Sequence, residues 1–300
     1  EIVPLVLSHG TYKNRLMFCS DGLDPSDISN IGHIDHCVRE SIKLGMNPID
    51  AISMASKNCF EYYKMGNEFG GIGPGKIADM LILDDYKKIK INKVILGGKI
   101  VVSNGKIIGK ISSPKIPNWI RKTVKLSKIT PKHFEIKSKN ATEYVNLISM
   151  KTEIVTKKSN IDLNVENSNV VASYDKDIWK VAALDRTFGS KTKTVGFLEN
   201  FGADVGAFAS TWSFHENDMI VIGSNEIDMA DASNKLIKSQ GGIIVVKDGR
   251  TLASLPFQLG GIISTDPIEK VTKNFSKINQ VLLDAGCKFQ KPHLIPLFLP

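Results

Sequence analysis

Apolar residues change their spacing along the chain, and those changes mark out its elements. Near the start, Arg15-Leu-Met-Phe-Cys19 is a short apolar run of buried-strand type that stops at Ser20-Asp21-Gly22. A polar, acidic, glycine-containing loop straight after a buried strand is where α/β proteins place their chemistry. Ile31, Ile34, Val38 and Ile42 then recur near the 3.6-residue period and predict a helix from Asp27 to Leu44, with Gly45 suited to its C-cap. Asn47-Pro48 reads as an N-cap and a first helical position. The second helix it opens takes its buried stripe from Ile49, Ile52, Met54, Ala55 and Phe60.

At Gly70 the pattern switches to strands. Gly70-Gly-Ile-Gly-Pro-Gly75 is a bend and Ala78-Asp-Met-Leu-Ile-Leu83 a buried strand. Lys93 to Ile108 reads as a meander with two-residue turns at Gly97-Gly98 and Asn104-Gly105. Ser113-Pro114, Ile116-Pro117 and Thr130-Pro131 interrupt any regular element and predict a linker over residues 111–139. The expected division is therefore 1–110, linker, and 140–300. Within the last part, Glu153–Thr156, Val170–Ala172 and Ile178–Leu184 read as strands. Asp218–Gly223 is a strand feeding a helix from Glu226 to Gln240. Gly242–Val246 and Thr251–Leu255 flank an Asp248-Gly249 turn, and a last helix runs from Pro267 to Ala285 before Gly286. This is an α+β layout with a mostly antiparallel sheet. No internal repeat is present.

A length of 300 residues corresponds to about two domains, and 42% hydrophobic with 23% charged residues is ordinary for a globular protein. The four cysteines, Cys19, Cys37, Cys59 and Cys287, are too scattered for a disulfide framework, and no pair has Cys-x-x-Cys spacing. They point to a reducing, cytoplasmic setting. No apolar run approaches the roughly 18 residues of a membrane span, so no membrane partner is expected. The chain opens at Glu1 without methionine or a basic leader, which suggests a true N-terminus elsewhere. Its net charge of +8 is mostly lysine, densest from Lys106 to Lys158 where aromatics are sparse. That favours a solvated basic face over a nucleic-acid surface.

Two stretches resemble the amidohydrolase superfamily. Gly73-Pro-Gly-Lys-Ile-Ala-Asp79-Met-Leu-Ile-Leu-Asp84 is similar to its closing signature, where the chain leaves the barrel and completes a small β-sandwich. Cys19-Ser-Asp21 resembles the end of the eighth barrel strand, whose aspartate sits at the metal site. Asp21-Gly-Leu-Asp-Pro25, Gly32-His33-Ile-Asp35 and Asn47-Pro48-Ile-Asp-Ala-Ile52 resemble the adenine deaminases in particular. So do Phe201–Ser210, Val221–Met229 and Gly241–Val246, which look like the extra C-terminal domain of those enzymes. The implied fold combines α/β and α+β parts. It is the C-terminal end of an amidohydrolase (β/α)8 barrel, part of its β-sandwich, and a separate α+β domain. The implied reaction is hydrolysis of adenine to hypoxanthine and ammonia by metal-activated water. The implied partners are a small purine base and further copies of the chain. The divalent metal implied is manganese, with iron or zinc as alternatives, held mostly by residues that this sequence does not contain. The resemblance thus implies a piece of a longer enzyme, clipped at both ends and inactive alone. The other readings are a different cyclic-amide or amidine amidohydrolase, or a non-catalytic binding paralogue.

Asp21 is the leading candidate for catalysis and for metal binding. The resemblance gives it a metal contact and the task of moving a proton from water to the leaving group. The family usually follows this aspartate with a second one, where this sequence has Gly22. His33 and Asp35, at the start of a helix, divide evenly between contact with the substrate pocket and a capping role in which Asp35 favours the helix N-terminus. His36 reads as structural. His215 and Glu216, with Asp218, form a polar loop that could cover the barrel mouth, though ordinary loop chemistry is the simpler reading. Asp185 and Arg186 follow a strand and suit an ion pair or a subunit contact. Gly70 to Gly75 lacks the Gly-Lys-Ser/Thr ending of a phosphate loop and reads as a bend.

Overall fold

A computed structural model describes residues 2–9, 13–109, 114–189, 192–213 and 218–299. The chain divides into two compact units, Glu1–Pro114 and Lys115–Pro300.

The first unit runs through α1 (Ile2–His9), α2 (Pro25–Asn30), α3 (Ile34–Lys43), α4 (Pro48–Met54) and α5 (Lys57–Tyr62). It continues into β1 (Met80–Asp85), β2 (Lys90–Leu96), β3 (Lys99–Ser103) and β4 (Lys106–Ile107). The single helix expected from Asp27 to Leu44 is broken in two, because Gly32 at φ +122° leaves helical geometry between α2 and α3. Asp24 caps α2, its side chain accepting the N–H groups of Ser26 and Asp27, with Pro25 at the first turn. Asn47 caps α4 in the same way through the Ile49 N–H. The stripe expected beyond it is interrupted after Met54, where the Ser56 hydroxyl donates to the Ile52 carbonyl at 2.8 Å and competes with helix propagation. Ala51 and Met54 are buried as the stripe requires, but Ile49 is 63% exposed.

Arg15–Cys19 is not a strand in the structure. Strand backbone needs a partner strand, and the described residues offer this segment none. The Phe18 N–H donates instead to the Met54 carbonyl at 3.1 Å. Leu16 and Phe18 still pack against the small core of Val38, Met46, Ala51, Met54 and Ile89. The meander forms as an antiparallel sheet in the order β1-β2-β3-β4. Gly97 and Gly98 have φ of +53° and +78°, and Asn104 and Gly105 +50° and +71°. Two successive positive φ values are the signature of type I′ hairpin turns.

The second unit is built on a nine-stranded sheet. Its elements are β5 (Thr142–Met150), β6 (Thr156–Glu166), β7 (Asn169–Val170), β8 (Ile178–Leu184), β9 (Lys193–Glu199), β10 (Ala207–Ser210) and β11 (Met219–Gly223). After α6 (Glu226–Ser239) come β12 (Gly242–Lys247), β13 (Arg250–Pro256), α7 (Ile268–Asp284) and α8 (Ile295–Phe298). The order is β13-β12-β10-β11-β8-β9-β5-β6-β7, antiparallel except where β5 pairs parallel with β9. The strand expected at Glu153–Thr156 is instead mostly the connection of the β5–β6 hairpin. Met150 pairs with Thr156 to close it, and the Lys151 N–H donates to the Val155 carbonyl at 2.8 Å.

The central strands are buried on both faces, which is why they read as largely apolar runs. In β11, Met219 and Val221 pack with Met229, Ala232 and Leu236 of α6. Ile220 and Ile222 pack on the opposite face with Phe275, Ile278 and Leu282 of α7. Residues 115–139, expected to be linker, belong to this unit: Val124, Ile129 and Phe134 lie in the core beneath α6. Asn234 pins the segment, accepting the Ile129 N–H at 2.9 Å and donating to its carbonyl at 2.8 Å. The Ile111–Ser113 part of that expectation lies outside the described residues.

Asp228 ties α6 to the β12–β13 turn. Its carboxylate is buried and accepts the N–H groups of Asp248 at 3.0 Å and Gly249 at 2.9 Å. Gly206 lies against it, and a Cβ added there would sit 1.8 Å from the Asp228 carboxylate. Gly206→Ala is therefore expected to destabilise the second unit by about 1–3 kcal/mol. Urea unfolding of the chain checks this, and an unchanged midpoint would refute it.

Candidate functional site

Asp21 has φ +51°, a left-handed conformation uncommon for residues other than glycine. Its N–H donates to the Cys19 sulfur at 3.4 Å, and its Oδ1 accepts the Gly22 N–H at 2.7 Å. The residue is exposed, and among the described residues its Oδ2 makes no hydrogen bond. The Gly22 N–H thus orients the Asp21 carboxylate through Oδ1.

The neighbouring loop is tied to the start of α3. Ser20 Oγ lies 3.1 Å from His33 Nε2. His33 is the N-cap residue of α3 but makes no side-chain cap bond, so its ring is exposed rather than spent on the helix. Asp35 does the capping work: its carboxylate accepts the His33 N–H at 2.8 Å and pairs with Arg39 at 2.5 Å. Burial pushes its pKa up, but the His33 N–H and Arg39 outweigh burial and hold the carboxyl below its ordinary range. Arg39 also donates to the Ile31 carbonyl at 3.0 Å. Asp35 is therefore engaged within its own helix, whereas Asp21, Ser20 and His33 form the exposed polar group. His36 lies 3.9 Å from Glu40 on the side of α3.

The signature 73–84 has a structural use that sequence reasoning did not assign. Asp79 accepts the Gly97 N–H at 2.7 Å and so holds the β2–β3 turn. Lys76 donates to the carbonyls of Gly66 and Phe69, fixing the glycine bend.

In the second unit, His215 and Glu216 lie outside the described residues. Asp185 and Arg186 do not pair with each other. Asp185 accepts the N–H groups of Thr187 and Phe188, each at 3.0 Å. Arg186 is 2% exposed and donates to the carbonyls of Gly260 at 3.1 Å and Thr211 at 3.3 Å. Burial draws its guanidinium below the ordinary value, with Asp218 counteracting.

Sequence reasoning also missed a buried charge. Lys180 in β8 is 2% exposed and donates to the Phe134 carbonyl, to Asn169 Oδ1 and to Glu226 at the start of α6. Nothing in the local pattern marks Lys180 as buried, since its partners come from three distant segments. Tyr174 stands close by, and burial together with the Glu226 charge pushes its hydroxyl up to about 12. Every donor of the Lys180 ammonium is matched by an acceptor, so the cluster is a cross-tie between sheet and helix.

No group of three or more histidine, cysteine, aspartate or glutamate side chains among the described residues could hold a metal ion. Asp21 offers a single carboxylate, so these residues alone do not fit a metal centre.

Residues 153–300 match the adenine deaminase C-terminal domain, and residues 3–101 match the amidohydrolase family. An adenine deaminase of Cenarchaeum symbiosum is 52% identical over 300 residues, 100% of this chain and 49% of that protein. The chain belongs to the adenine deaminase family. An adenine deaminase of Moorella thermoacetica is 31% identical over 284 residues, covering 93% of the chain and 48% of that protein. One of Clostridium botulinum is 32% identical over 284 residues, covering 94% and 47% respectively. The chain thus spans about half the length of the curated relatives it matches. No helix among the described residues is long and apolar enough to cross a membrane.

Proposed function

We propose that the chain works as part of an adenine deaminase, a cytoplasmic enzyme of purine salvage. It would convert adenine and water to hypoxanthine and ammonia. The observation that carries this is the joint match of both units to one family, with 52% identity along the whole chain to a protein named for that activity. The reading as another cyclic-amide hydrolase has no comparable support, because the second unit matches a domain named for adenine deaminases.

Asp21 is the proposed catalytic residue. Its exposure and its uncommitted Oδ2 suit a carboxylate that takes a proton from the attacking water and returns it to the departing amino group. The water oxygen bonds to C6, the C6–amino bond breaks, and ammonia leaves. The divalent metal, manganese in this proposal, would take most of its ligands from the half of the relatives' length that the chain does not span. His33, beside Ser20 and exposed, is proposed to line the substrate pocket.

The same reading accounts for two features of the first unit. Arg15–Cys19 would become a barrel strand when neighbouring strands supply its hydrogen bonds. Leu81, Val94, Val102 and Ile107 are paired across all four strands and so share one face, with Leu81 54% and Ile107 61% exposed. That row is proposed to pack against further strands of the family's β-sandwich.

The test is loss of adenine and appearance of hypoxanthine, followed by absorbance, with the full-length gene product carrying this chain. Turnover of adenine but not of a cyclic amide supports the proposal. Turnover of the cyclic amide alone would refute it.

A further inference from the structure

We propose that the second unit carries a binding cleft for a phosphorylated small molecule, a proposal that does not rest on the deaminase reading. The cleft, about 480 Å³, is lined by Lys125, Ser127, Lys128, His133, Thr192 and Lys193 over a floor that includes Leu126 and Ile129. Its volume lies within the range of small-molecule sites. No acidic residue is among those lining it. All three lysines are exposed, and none forms an ion pair among the described residues. The surrounding segment 115–139 holds eight lysine or arginine residues against one acid, Glu135. Ammonium groups gathered without a counter-charge repel one another, and a bound anion relieves that repulsion.

The donor set favours phosphate over carboxylate. Three lysines and Ser127 among the lining residues suit a group with three terminal oxygens and a charge near −2. His133 adds to it. Its Nδ1 is engaged by Thr130, 3.1 Å from the backbone N and 2.9 Å from Oγ1, so Nε2 is the ring nitrogen without a partner among the described residues.

The walls are held in place without any ligand. The Lys125 N–H donates to the Arg186 carbonyl at 2.7 Å, and Ile129 is clamped on both sides by Asn234. Lys193 Nζ reaches the His133 carbonyl at 2.5 Å, joining the start of β9 to the opposite wall. A preformed cleft spares the ligand most of the cost of ordering it.

Equilibrium titration of the chain with inorganic phosphate, adenosine monophosphate, adenosine and an oligouridylate series tests the proposal. Saturable binding of phosphate and of the monophosphate, but not of adenosine, is expected. Lys125→Gln, Lys128→Gln and Lys193→Gln should each weaken the monophosphate about tenfold, the usual size for one charge-assisted hydrogen bond. Lys157→Gln, on an exposed lysine of β6, should leave binding unchanged. These side chains are exposed, so the fold should survive, and circular dichroism checks it. Four results would overturn the proposal: no saturation at millimolar phosphate or monophosphate, equal affinity for adenosine, no effect of the three substitutions, or binding only of oligonucleotides with affinity growing with length.

Discussion

Replacing Glu226 by alanine is expected to destabilise the second unit by about 3 kcal/mol, because it strands a buried cation. Lys180 is 2% exposed, and Glu226 is the one carboxylate within its reach among the described residues. The Phe134 carbonyl and Asn169 remain as neutral acceptors, which places the loss at the lower end of the range for such pairs. Changing both members, Lys180→Met with Glu226→Leu, should restore much of the stability, since an apolar pair carries no desolvation penalty. Urea unfolding of the wild type, Lys180→Met, Glu226→Leu and the double variant measures the coupling. Additive losses would contradict a direct pair.

The pair also sets a pH dependence. Burial raises the Glu226 carboxyl, but bonds from Lys180 and Asn169 outweigh it and bring the group below its ordinary value of 4.5. A carboxyl depressed in the folded state stabilises above its unfolded value. That contribution is lost as pH falls from about 4.5 through the folded value. The wild-type midpoint should therefore drop more steeply than that of the double mutant below pH 4.5.

What the sequence made legible was local. Asn104-Gly105 and Asp248-Gly249 announce their turns because few other residues accept two successive positive φ values. Ile178–Leu184 and Met219–Gly223 read as strands because burial on both faces leaves them almost wholly apolar, with Lys180 the one charged position. Pairings between distant segments were not legible. Lys180 looks like an ordinary strand lysine until Phe134, Asn169 and Glu226 are brought around it. Val124 and Ile129 sit in a proline-broken stretch without periodicity, so only the folded core shows that they are buried. At the candidate site, Asp21 was visible from its loop. The engagement of Asp35 with Arg39 and the break at Gly32 were not, because both depend on how the chain turns between α2 and α3.

Asp21→Asn is expected to have the largest effect on activity. Asparagine keeps the size and the acceptor for the Gly22 N–H but cannot take a proton. General acid–base catalysis contributes about 10²–10⁴-fold, so kcat should fall by that factor while the fold is unchanged. Asp21 is exposed, which separates this loss from destabilisation. Asp35→Asn, by contrast, removes an ion pair within α3 and should act on stability rather than on kcat.

The deciding measurement is ammonia release from adenine by the full-length gene product purified with manganese, wild type beside Asp21→Asn. Release by the wild type that collapses in the mutant is the expected result. Release that persists undiminished in Asp21→Asn, or none from adenine in a folded, metal-loaded wild type, would contradict it.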